Sequence, residues 1–310
     1  MYKVHTIPRQ GAWFEGFYLK HRGPEGGIAF IPAVHREGNG VCTASLQVIT
    51  DNASYVLDYP FEDFCVQHNG QMLRVGENSF SSAGACLHLE RDGLEISGEL
   101  HYGPFTPLRG DIMGPFRLVE PLMQCYHGVI SQRHGLSGQL TVNGRTMDFR
   151  GGTGYIETDR GRSFPTDYLW TQCNWDNNGI MLSVAEIPFL WGHFKGCICT
   201  VLYGNQEFRL ATYQGARIQN YGSQGAEICQ GSTRFTVELL SAAACPLRAP
   251  RQGGMSRTIK ESLSACVRYR FWYKNKLFFD HVDRAASYEY ADEKTDTPGQ
   301  WMDEKSSGTK

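Results

Sequence analysis

One device recurs along this chain: a short run of alternating apolar and polar residues, closed by a turn rich in Gly, Asn or Asp. Alternation at a period of two belongs to strands, and no long stretch keeps the 3.6-residue spacing of an amphipathic helix. "WFEGFYLK", "HRGPEGG" and "IAFIPAV" read together as a hairpin. "TVNGRTMDF" sets Asn-Gly between apolar-alternating flanks, the strongest short hairpin signal, and "ERDGLEI" offers Asp-Gly in the same role. The second half repeats the pattern in "LWTQCNW", "GIMLSVAEIPFL", "FKGCICTVLYG" and "RFTVELL". The 35 glycines and 12% aromatic content fit a β protein with many turns. Helix signals are sparse: "YPFEDFCVQ" holds one short turn, and "SRTIKESLSACV" reads equally as a helix or as a loop leading into a strand.

An all-β fold is therefore expected. Several strands look apolar on both faces, which favours barrels that enclose a cavity. "WFEGFYLK…GGIAFIPAV" is echoed by "LWTQCNW…NGIMLSVAEIP", which suggests two similar β domains in tandem. We place them at residues 1–160 and 161–290. Residues 291–310 are polar and charged, and are expected to form a disordered tail.

Bulk properties narrow the function. A formal charge of −2 gives no reason to expect a nucleic-acid partner. There is no run of about 18 apolar residues, so no membrane span is expected, and no signal-peptide h-region follows the start; a cytoplasmic location is expected. The ten cysteines are scattered without a C-x-x-C pair, and read as reduced thiols packed as small apolar residues; disulfides are the less favoured reading. The common nucleotide, zinc-protease and serine-hydrolase motifs are missing. "GGTGYIE" has no helix after it, so a bulge or close backbone packing is favoured over a phosphate cradle. His127 and His134 are seven residues apart and face opposite sides of a regular strand, so no shared metal is expected.

Residues 154–174, "GYIETDRGRSFPTDYLWTQCN", concentrate the chemistry. Tyr155, Glu157 and Asp159 share one face of a strand, with the carboxylates about 7 Å apart. In an apolar cavity one of them would keep its proton and serve as a general acid, while Arg160 and Arg162 hold the other ionised. Spacing alone favours a plainer reading, a rim cluster of salt bridges with those arginines. Tyr168, Trp170, Gln172 and Asn174 share the next face, as a cavity wall or as an outward polar surface. Glu186, beside Ile187-Pro188, is a further acid with the same ambiguity.

"MGPF", "CYHGVISQRHGLSG", "FRGGTGYIETDRGRSFPTDYLWTQCN", "SVAEIP" and "ATYQGA", with "WFEGFYLK" and "FIPAV" before them, resemble the tocopherol cyclase family in order and spacing. The resemblance runs over residues 13–216 and more weakly towards residue 290. It departs from the family pattern at Thr158, Arg160 and Gln124. It implies two tandem lipocalin-like β-barrels and a reaction without a cofactor: an acid protonates an alkene of a prenylated quinol, and the phenol oxygen captures the cation. On this chain the implied acids are Asp159 and Glu157, with Glu186 behind them. Arg162 would orient a carboxylate. Trp13, Tyr155 and Trp170 would line the pocket, and His127, Gln172 and Asn174 would hold the quinol head. The partner is then a small lipophilic molecule, a prenylated aromatic or similar. The alternative is a lipocalin-like carrier of a hydrophobic ligand with no turnover, since fold alone does not separate the two.

Overall fold

The computed structural model describes residue 5 and residues 10–67, 70, 72–189 and 192–292. The described chain is all-β. A first sheet holds β1 (Trp13–Gly23), β2 (Gly26–Arg36), β3 (Cys42–Thr50), β4 (Ser54–Pro60), β5 (Phe64–Gln67) and β6 (Met72–Val75). It continues with β7 (Asn78–Ser81), β8 (Gly84–Arg91), β9 (Leu94–Tyr102), β10 (Cys125–Val142), β11 (Arg145–Asp148) and β12 (Gly152–Gly161). A second sheet holds β13 (Asp167–Trp175), β14 (Asn178–Phe189), β15 (Gly192–Tyr203), β16 (Gln206–Ala211) and β17 (Arg217–Gly222). Its remaining strands are β18 (Gly225–Gln230), β19 (Thr233–Ser241), β20 (Cys245–Arg251), β21 (Gly254–Tyr273) and β22 (Lys276–Asp292).

The pairing orders are β4-β3-β2-β1-β12-β10-β9-β8-β7-β6-β5 and β16-β15-β14-β13-β22-β21-β19-β18-β17. They match outward from β1 and β13. The two echoed hairpins, β1–β2 and β13–β14, take equivalent places, and each first strand is flanked on its other side by the last strand of its sheet. The Asn-Gly turn behaves as its sequence predicts: Asn143 and Gly144 both have positive φ, 48° and 78°, the geometry that a two-residue hairpin turn requires. "YPFEDFCVQ" holds a single 3-10 turn at Phe61–Asp63, and "SRTIKESLSACV" is part of the long strand β21. Ala291 and Asp292 end β22, and residues 293–310 of the expected tail lie outside the described residues.

Side-chain alternation sorts the interior into three apolar clusters. Phe17, Leu19, Ile28 and Phe30 turn into the first sheet's own core, and Leu169, Cys173, Ile180 and Leu182 into that of the second. Their neighbours on the opposite faces, Tyr18, Ala29, Tyr168, Trp170 and Met181, meet in a third cluster between the sheets. Strands that look apolar on both faces thus fill their sheet's own core with one face and the seam between the sheets with the other.

Residues 103–124 form a strap from β9 to β10 that crosses to the second sheet. Arg209 Nη1 donates to Asp111 O at 2.8 Å, Tyr213 Oη donates to Ile112 O at 2.8 Å, and Phe116 stacks on Phe194. Arg160 ties the strap back to the first sheet through a two-pronged ion pair with Glu120 (2.6 and 2.7 Å), its guanidinium 3.6 Å from the centre of the Tyr126 ring.

All ten cysteines are free thiols. In "GGTGYIE", close packing is the outcome: a Cβ added at Gly154 would lie 2.2 Å from His134 Nε2. The His134 ring is buried against Tyr102 and Phe105 and has nowhere to retreat. Gly154→Ala is therefore expected to cost about 1–3 kcal/mol of stability by overpacking, measured by urea unfolding. A variant as stable as wild type would show that the ring moves freely.

Candidate active site

A cavity of about 180 Å³ lies in the seam between the two sheets. Its wall is mainly apolar, with Phe14, Ile31, Met113, Phe116, Ile187 and Leu247 contributing. Polar groups enter it from both sheets. Neighbouring strands β10 and β12 set His127 opposite Asp159 and Val129 opposite Glu157. His127 Nδ1 is 2.9 Å from Asp159 Oδ1, and its Nε2 is 3.5 Å from Glu157 Oε2. Tyr155 Oη donates to Glu157 Oε2, and Trp170 Nε1 donates to the same oxygen at 3.2 Å.

The second sheet adds two more acids. Glu261 on β21 stands opposite Glu289 on β22. Tyr18 Oη donates to Glu261 Oε1 and lies 2.9 Å from Ser287 Oγ, while Tyr168 Oη donates to Glu289 Oε1. Glu157, Glu261 and Glu289 are 5%, 2% and 7% exposed, which makes them acids of an interior rather than of a rim. The Tyr18 and Trp170 rings meet edge to face with centres 5.2 Å apart, linking the two groups.

Of the residues singled out from the sequence, His127, Glu157, Asp159, Tyr168 and Trp170 line the cavity, and Tyr155 bonds Glu157 from behind it. The salt-bridge reading of the carboxylates is corrected: Arg160 pairs with Glu120 from the strap, and His127 is the partner of Asp159. Arg162 is exposed, and its main chain bonds Gln124 and Gly253. Glu186 lies at the outer end of β14, 3.9 Å from His193, and does not line the cavity. Trp13 is buried in the core of the first sheet. Gln172 and Asn174 share the predicted face but sit further along β13, near Gln132, whose Oε1 accepts from Thr200 Oγ1 at 3.1 Å. Sequence reading passed over Glu261, Glu289 and Tyr18. Alternation in "SYEYAD" puts Ser287, Glu289 and Ala291 on one face and was the available signal for Glu289.

Among the described residues, His127, Glu157 and Asp159 form the one group whose ligand atoms, all within 4.8 Å, could hold a metal ion. His127 Nδ1 and Asp159 Oδ1 already bond each other, and Glu157 Oε2 already accepts from Tyr155 and Trp170. The donor set as arranged is a hydrogen-bonded network.

A family model described as "Tocopherol cyclase-like" matches residues 112–291. Among solved structures, CghA with Sch210972 is similar over 91% of this chain and 89% of its own, at 11% identity and a TM-score of 0.55. Kievitone hydratase from Nectria haematococca is similar over 92% and 90%, at 10% identity and a TM-score of 0.51. At such identities the likeness is one of fold. No curated protein sequence matches significantly. No described helix is long and apolar enough to cross a membrane.

Burial sets the protonation of the site. It raises Glu157, Glu261 and Glu289, each to about 8, because an ionised carboxylate loses its hydration there. Burial disfavours the His127 charge, but its acidic neighbours, Asp159 first among them, outweigh it and lift His127 to about 9. Burial also keeps Tyr18, Tyr155 and Tyr168 protonated as donors. Each of the three glutamates holds a proton in the folded chain that the unfolded chain releases above about 4.5, so each withdraws stability as pH rises towards 8. His127 stabilises fully below 6.5 and loses that contribution as pH rises through 9. Below 6.5 the buried neutral rings of His21, His35 and His134, lowered to about 3, 4 and 3, work in the opposite direction. The clean window is therefore 6.5 to 8, where unfolding free energy is expected to fall with rising pH. Urea titrations across that window check the sign, and a flat or rising profile would count against neutral acids in the seam.

Proposed function

The chain belongs to the tocopherol cyclase-like family, and from that premise we propose that it binds a prenylated quinol or similar lipophilic molecule in the seam cavity and cyclises it by acid protonation of an alkene. The observation that carries this reading is Glu157. It is a buried carboxyl in a largely apolar cavity, with one oxygen held by the Tyr155 hydroxyl and the Trp170 indole N–H. That leaves Oε1 to carry the acidic proton, and burial makes the neutral form the resting one near neutral pH.

In the proposed step, Glu157 gives its proton to one alkene carbon and the neighbouring carbon becomes a tertiary cation. The rings of Trp170, Tyr18 and Tyr168 and the Asp159 carboxylate stabilise that charge. The ligand's own hydroxyl oxygen closes the ring and gives up its proton, so the product is an isomer of the ligand. His127, held by Asp159, faces the same space and would bond the aromatic head. Water in place of the hydroxyl would give hydration, the reaction in the name of the Nectria haematococca neighbour. In this reading each sheet is a lipocalin-like barrel around its own apolar core, and the division into domains falls at residues 160 and 161.

The test is turnover of a prenylated hydroquinone by purified protein, followed by chromatography. Wild type is expected to form the chromanol. Glu157→Gln is expected to lose about 100-fold or more of that rate, and Asp159→Asn to lose rate through a less charged partner for His127, both with the fold intact. Wild-type rates in Glu157→Gln would overturn the acid assignment. Tight binding with the quinol returned unchanged would make the protein a carrier.

A further inference from the structure

We propose that Glu289, with Glu261 opposite it, is a second proton-handling centre of the same cavity, the counterpart in the second sheet of Glu157 in the first. The matched strand orders make β12 equivalent to β22, and β1 to β13. Within that correspondence Tyr18 on β1 stands opposite Glu157 on β12, and Trp170 on β13 stands opposite Glu289 on β22. Each acid thus occupies the same place beside an aromatic donor of its own sheet. Both line the cavity, as does Glu261.

The second pair differs in that, among the described residues, no cation is bonded to it. Among the described residues no ion pair reaches Glu261 or Glu289. The nearby charges are used elsewhere: Arg257 donates to Pro165 O and Thr166 O at 2.6 and 2.7 Å, and Lys20 Nζ donates to Ala285 O at 3.0 Å. Glu157 and Asp159 face Glu289 from the first sheet as further acids, not as counter-ions. Tyr18 and Tyr168 each take one oxygen of their glutamate, leaving the other for a proton or a ligand. Two carboxyls facing each other across neighbouring buried strands cannot both ionise, so the pair keeps at least one proton. The raised protonation range of both groups agrees with this.

Resting on the cyclisation reading above, the pair completes its proton balance. Glu157 loses a proton as the C–H bond forms. The ligand's hydroxyl oxygen forms the C–O bond, and its O–H proton passes to the Glu261–Glu289 pair, which hands a proton of its own to the ionised Glu157. Asp159 is the poorer acceptor because His127 already neutralises it. Each acid thus ends the cycle with the protons it began with, and the product is an isomer of the ligand. No oxidant or reductant is needed.

Infrared spectra of the whole protein in H2O and D2O at neutral pH count protonated carboxyls without any ligand. Wild type is expected to show buried protonated-carboxyl bands from both centres. Glu157→Gln should remove one, and Glu289→Gln or Glu261→Gln the other. Loss of all buried protonated-carboxyl signal in Glu157→Gln would overturn the pair, whatever the protein does to a quinol. With the prenylated hydroquinone, Glu289→Gln is expected to lower kcat about 100-fold with KM little changed, and Glu289→Asp to restore part of it. An unchanged kcat in Glu289→Gln would remove the pair from the chemistry. A wild type without turnover would sink the cyclisation reading alone, and the infrared count would still decide whether the pair holds its proton.

Discussion

Donors cross the seam. Tyr18 belongs to the first sheet but donates to Glu261 of the second; Trp170 belongs to the second but donates to Glu157 of the first. A buried acid deprived of its donor costs about 1–3 kcal/mol, so neither sheet can draw back without penalty at both acids. Other polar contacts reinforce the seam. Gln47 bonds both the N–H and the carbonyl of Arg248, and Ser54 Oγ donates to Pro246 O. The packing of the two sheets and the state of the acids are thus one property. Tilting the sheets would admit water, and water would ionise the carboxyls.

The first half of the site was legible because β12 is regular there. Period-two alternation placed Tyr155, Glu157 and Asp159 together, and they are together. The second half was hidden by irregular strands. On β21, register shifts between Ser262 and Ala265 and between Ala265 and Val267 interrupt the alternation. Glu261 and Leu263 face the seam while Ala265 and Val267, also odd-numbered, face the second core. A reader counting by twos cannot assign Glu261 to the seam. Glu289 was readable, but it stands next to a segment read as tail.

Arg160 failed for a different reason. Asp159 precedes it and Glu157 lies three positions before it, and proximity in sequence made them its natural partners. The partner it has, Glu120, arrives on the strap, a connection whose path no local pattern encodes. Gln172 and Asn174 show the converse limit. Alternation put them on the right face, yet it says nothing about how far along a strand the cavity extends. Hairpins, faces and cores follow from local pattern; the choice of which faces meet, and where space is left between them, belongs to the assembled sheets.

The matching of the two halves bears on how a ligand lies. A cavity made by two equivalent walls would accept a molecule either way round. Two residues beyond each acid the walls diverge: Asp159 follows Glu157, but Ala291 follows Glu289. The strand beside the first carries His127, and the strand beside the second carries Ile259. The His–Asp ion pair thus lies at one pole of the space only. These differences would give an occupant a head and a tail, and so a direction.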